Sequence, residues 1–109
     1  MIKKVTLLNT SIITHSGFYS CEDITLQDAK KIIANSDKIE SAIGHESTAN
    51  ILTELLEYNV EVNRVNYVQE KGDVAIVFKL EKRPPEGKIL TKEEIENIGY
   101  KFQRLVRLR

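Results

Sequence analysis

The sequence predicts an α/β or α+β fold: a single domain over residues 1–109, with a mixed sheet of about five strands and about three helices. Three observations carry this. Segments with helical apolar spacing separate segments with strand-like alternation, which favours some parallel pairing. Residues 73–81 are apolar on both alternating sets, Val74, Ile76, Phe78 and Leu80 against Ala75 and Val77, as an interior strand requires. Two helix starts are written as Thr-x-x-acid capping boxes.

In chain order, residues 4–9 read as a first, central strand. Residues 10–20 carry turn formers and Gly17, so they read as a loop with a short edge strand near Phe18 and Tyr19. Thr25 and Asp28 open a helix through Ala29, Ile32 and Ile33. Residues 38–43 suit a short strand leading into Gly44. A second helix spans about residues 46–58, with Ile51, Leu52, Leu55 and Leu56 as its apolar stripe. Residues 63–70 and 73–81 read as a hairpin turning at Lys71 and Gly72. Two prolines and a glycine make residues 83–87 a stiff loop. Thr91 and Glu94 cap a short helix ending near Gly99, and residues 101–109 form a last strand.

Composition narrows the function classes. One cysteine, Cys21, excludes an intrachain disulfide and a C-x-x-C motif. No signal-peptide pattern or membrane-length apolar run occurs, so a cytoplasmic protein is expected, in a host cell if the gene is viral. The formal net charge is +0, yet residues 82–109 carry 8 Lys/Arg against 4 Asp/Glu and residues 1–81 carry 8 against 12. A basic segment in a neutral chain favours a small anionic ligand over long nucleic acid; the plain alternative is a solvated strand. Neither a P-loop nor a dinucleotide fingerprint is present. The two histidines, His15 and His45, have no metal-spaced partners, so neither metal nor cofactor is expected.

Three polar clusters can carry chemistry. I-G-H-E-S-T at 43–48 places His45 after Gly44 at a helix mouth, where unpaired N–H groups attract phosphate and Ser47 and Thr48 add hydroxyls. A histidine there can protonate a leaving oxygen; the plain alternative is a capped helix with a surface histidine. R-P-P-E-G-K at 83–88 can hold Arg83 and Lys88 towards an anion, with Glu86 orienting a neighbour; the plain alternative is a solvated turn. Asn9, Thr10 and Ser11 end the first strand, where open sheets bind ligands; the plain alternative is an ordinary strand-to-loop transition.

L-L-N at 7–9, I-G-H-E-S-T at 43–48, V-N-R at 62–64 and R-P-P-E-G-K-I-L-T at 83–91, in this order, resemble the viral ring nucleases. These are type III anti-CRISPR proteins of archaeal viruses and phages, long catalogued as a domain of unknown function. The resemblance implies a homodimer that binds cyclic tetra-adenylate across its two-fold and cuts it to di-adenylate species, silencing type III CRISPR signalling. It implies His45, Arg83 and Glu86 as catalytic residues. It implies substrate contacts from Asn9 and Ser11, with Gly44, Ser47, Thr48 and Lys88 belonging to the matched motifs. Two other classes stand beside it: a cyclic-nucleotide sponge or sensor that does not cut, and a nucleic-acid-binding regulator using the basic C-terminal segment.

Overall fold

The computed structural model describes residues 2–82 and 90–109. The element order is β1 (Ile2–Leu8), β2 (Tyr19–Ile24), α1 (Leu26–Ala34), β3 (Ser36–Ser41), α2 (Glu46–Leu56), β4 (Val74–Leu80), α3 (Lys92–Ile98) and β5 (Tyr100–Arg107). One five-stranded sheet runs in the order β2-β5-β4-β1-β3. β1 is parallel to β3 and β4, while β5 is antiparallel to β4 and β2, so the architecture is α+β with a mixed sheet.

The two faces of the sheet differ. All three helices pack on one face, where Val5, Leu7, Ile76, Phe78 and Phe102 meet Ala29, Leu52, Leu55 and Ile95. Phe78 anchors this core, with its ring centroid 5.2 Å from Phe102 and 5.9 Å from Tyr100. The other face holds a smaller cluster of Leu8, Ala75, Val77 and Leu105. β4 lies mid-sheet and buries side chains on both faces, which is why its sequence is apolar on both alternating sets. β1 is interior but lies next to the edge strand β3 rather than mid-sheet.

Both capping boxes form. Thr25 and Asp28 exchange hydrogen bonds of 3.1 and 3.2 Å, and Thr91 and Glu94 do the same at 3.2 Å. α2 behaves differently. Its N-cap is His45, with extended backbone and no side-chain capping bond. Neither Ser47 nor Thr48 caps it; both lie inside the first turn.

Two expectations need correction. The hairpin of 63–70 with 73–81 does not form: residues 61–70 contain no strand, and the antiparallel partner of β4 is β5. The register explains the choice. Pairing β4 with β5 sets Phe78 opposite Phe102 and Ala75 opposite Leu105, an apolar match on each face. In the rejected segment Val62, Val65 and Val68 are exposed, and the buried side chain is Gln69. Gln69 lies on the helix-free face, where its amide donates to Asp73 O and Leu105 O, both at 2.9 Å. The edge strand near residue 19 is also longer than its sequence suggests, running through Y-S-C-E-D-I. Its carboxylates are paired: Glu22 with Arg104 at 2.8 Å and Asp23 with Lys101 at 3.3 Å. Charges on an edge strand also discourage pairing with another chain.

Candidate functional site

The site grows from the carboxyl edge of the parallel strands. β1 ends at Leu8 and is followed by Asn9, while Ala42 N donates to Leu7 O at 3.0 Å as the chain leaves β3. Ile43 is fully buried and pins the turn, so Gly44 and His45 emerge at the mouth of α2. The chain returning from α2 is then tied to this turn. Asn63 N donates to Ile43 O at 2.8 Å, Asn63 Nδ2 to Ser41 O at 2.7 Å, and Ser41 Oγ to Glu61 O at 2.6 Å. These bonds set Arg64 beside the helix mouth, where its Nε donates to Gly44 O at 2.8 Å.

Asn9, Ile12, Gly44, His45, Arg64 and Asn66 thereby line one open depression of about 430 Å³. Its chemistry favours an anion. The first backbone bond of α2 runs from Ala49 N to His45 O, which leaves the N–H groups of Glu46, Ser47 and Thr48 without acceptors among the described residues. Those groups carry the positive end of the helix dipole. The η nitrogens of Arg64 and the imidazole of His45 likewise have no partner among the described residues. Gly44 gives room to Arg64 and has no left-handed backbone angle. A Cβ there would stand 3.3 Å from Arg64 Cγ, so the bare backbone lets the arginine stem lie against it.

The structure thus gathers Asn9, Gly44 and His45 into one depression, while Ser47 and Thr48 lie in the adjoining first turn of α2 and do not line it. Ser11 does not line it. Its hydroxyl donates to Gln103 Oε1 at 3.0 Å, and Gln103 Nε2 donates to Asp23 Oδ1 at 2.9 Å. Arg83, Glu86 and Lys88 fall within 83–89, outside the described residues. β4 runs parallel to β1, so the chain leaves Leu80 at the same sheet edge that carries Asn9.

Arg64 is the site residue to which sequence reasoning gave no role. The V-N-R block marked it, but only the return of the 61–64 segment onto β3 shows its purpose. Among the described residues no group of three His, Cys, Asp or Glu side chains is placed to hold a metal ion, and no helix is long and apolar enough to cross a membrane.

Two relatives share the chain nearly end to end. The uncharacterized protein YddF of Bacillus subtilis is 39% identical over 106 residues, covering 96% of this chain and 98% of its own length. Uncharacterized protein ORF117 of Acidianus two-tailed virus is 37% identical over 107 residues, covering 94% of this chain and 92% of its own length. The fold matches that of B116 of Sulfolobus turreted icosahedral virus with a TM-score of 0.81 at 24% identity, over 95% of this chain and 99% of that one. The STIV B116-like family model matches residues 5–102, and the chain belongs to that family.

Proposed function

We propose that this protein is a ring nuclease that binds cyclic tetra-adenylate and cuts it into di-adenylate products. The observation that carries the reading is the convergence of His45, Arg64 and Asn9 on one depression at the N-terminal end of α2. A phosphodiester there meets a general acid, a cationic fork and a helix N-terminus together.

RNA supplies its own nucleophile. The ribose 2′-oxygen attacks phosphorus, its proton passes to solvent, and the bond from phosphorus to the 5′-oxygen breaks. The leaving 5′-oxygen takes its proton from His45, a role worth about 10²–10⁴-fold. The products end in 2′,3′-cyclic phosphate. Arg64 and Asn9 hold the phosphate, and Arg83 adds charge to the transition state with Glu86 orienting it. Ser47, Thr48 and Lys88 contribute further contacts. The chemistry calls for no metal or cofactor.

A four-nucleotide ring contains a two-fold axis, as does an isologous dimer. Exposed Ile12 and Val65 beside the depression support a homodimer in which two His45 residues face opposite phosphodiesters. The proposed setting is the cytoplasm of a cell with type III CRISPR signalling. The test is competition binding of labelled cyclic tetra-adenylate against long single-stranded RNA over a salt series. Tight ring binding with a shallow salt slope supports the reading. Preference for long RNA with steep salt dependence refutes it in favour of a nucleic-acid regulator. Ring binding without product marks a sponge.

A further inference from the structure

β3 is an edge strand, and its outer edge is covered only in part. Ala42 N donates to Leu7 O, so by alternation Lys38 and Glu40 direct their backbone groups at β1, while Asp37, Ile39 and Ser41 direct theirs outward. The end towards α2 is occupied: Ser41 O accepts from Asn63 Nδ2 at 2.7 Å, and Ile43 O from Asn63 N at 2.8 Å. The outward N–H and C=O groups of Asp37 and Ile39 have no hydrogen-bond partner among the described residues. A cleft of about 370 Å³ runs beside them, with Leu7 and Ile39 on the sheet side and Tyr58, Val60 and Glu61 on the other. Tyr58 is 41% exposed although it lines this cleft. Asp37 and Glu61 are exposed carboxylates with no ion pair among the described residues, whereas Glu40 and Glu57 are held by Lys4 and Lys30. The cleft shares no lining residue with the depression at His45.

We infer that the open edge of β3 takes an extended basic peptide of a partner protein as an added strand. Unpaired backbone groups along an edge are a template for such pairing, and a neighbouring pocket for alternate side chains gives it specificity. Asp37, Ile39 and Ser41 share one face of β3, so three alternate residues of the added strand face the same side. The middle residue lies beside Ile39, enters the cleft against Leu7 and Tyr58, and is apolar. The residues on either side of it lie near Asp37 and near Glu61, which is tied to Ser41 at 2.6 Å, and are cationic. The recognised pattern is therefore Lys or Arg, an apolar residue, and Lys or Arg at every other position. Charge also argues against a second copy of this chain on the edge. Antiparallel pairing of β3 with itself about Ile39 would set Asp37 against the Glu61 end of the same edge, a like-charge contact that a cationic peptide turns into an attraction.

The experiment titrates the whole isotope-labelled chain with the capped peptide T-K-T-V-T-K-T, and with a version carrying glutamate in place of both lysines, followed by NMR and amide hydrogen exchange. The wild type should bind the lysine peptide at least about tenfold more tightly than the glutamate peptide. Exchange of the Ile39 amide should slow at least about tenfold when the lysine peptide saturates the chain. The double variant Asp37→Lys with Glu61→Lys should reverse the preference and bind the glutamate peptide more tightly. Both substitutions fall on exposed residues, so they change the charge of the edge and leave the core as it is. Equal affinities for the two peptides, binding that leaves the Ile39 amide unprotected, or no binding of either at about millimolar peptide overturn the inference. Protection of Ile39 that rises with protein concentration in the absence of peptide assigns the edge to a second copy and overturns it as well.

Discussion

Replacing Arg64 by alanine separates folding from binding. In the folded protein Arg64 makes one described hydrogen bond, Nε to Gly44 O at 2.8 Å, and the residue is exposed. A bond of that kind contributes about 0.5–1.5 kcal/mol, so the melting temperature should fall by about 2–6 °C. The η nitrogens have no partner among the described residues, so their contribution appears only when an anion arrives. A forked contact to phosphate is worth about 1.5–3 kcal/mol, which weakens ligand binding by about 10–150-fold when lost. Arg64→Lys should recover part of the affinity, because it restores the charge without the fork. Calorimetry with cyclic tetra-adenylate and a thermal melt on the same samples measure both quantities. Wild-type affinity in Arg64→Ala would refute the assignment of Arg64 to the ligand.

Gln69→Leu should destabilise the chain by about 2–4 kcal/mol in urea unfolding, because Asp73 O and Leu105 O each lose a donor at a fully buried position. Gly99→Ala should cost about 1–2 kcal/mol in the same assay: its φ is 88°, and the added Cβ would stand 2.6 Å from Glu81 Oε2. Acidification should also lower stability. Glu22, bonded and charge-paired to Arg104, Asp23, bonded to Gln103 and Lys101, and Asp28, bonded to Thr25, all have carboxyl groups held below their ordinary values of 4.5 and 3.8. A lowered folded pKa stabilises the fold above the ordinary value, and that contribution is lost as pH falls through the folded value. The melting temperature should therefore drop below about pH 4.5, and Arg104→Met should remove the Glu22 share of that drop.

Much of the fold is legible because local chemistry writes it. Thr25 with Asp28 and Thr91 with Glu94 state where α1 and α3 begin, and both boxes form as written. The stripe of Ile51, Leu52, Leu55 and Leu56 states which face of α2 is buried. Strand pairing is less legible, because it depends on partners far away in sequence. A Lys-Gly turn before β4 suggests a hairpin with the preceding segment, but the apolar match lies with β5 on the far side of α3. β2 lacks apolar alternation because its charges pair with β5 instead of entering a core.

The site is legible to the same degree and for the same reason. His45 after Gly44 at a helix start is local, and the structure puts it at the mouth of α2. Arg64 is distant in sequence and reaches the site only through the bonds that Ser41 and Asn63 make. Ser11 looked like a strand-end ligand contact, and its hydroxyl is engaged with Gln103.

The central claim is that His45 protonates the leaving oxygen of a cyclic adenylate. The most direct measurement is single-turnover cleavage of labelled cyclic tetra-adenylate, with EDTA present, by wild type and His45→Ala. Conversion to di-adenylate 2′,3′-cyclic phosphate by the wild type, slowed about 10²–10⁴-fold in His45→Ala with ring affinity nearly unchanged, is the expected result. Equal rates in the two proteins, or no product from either, would contradict it.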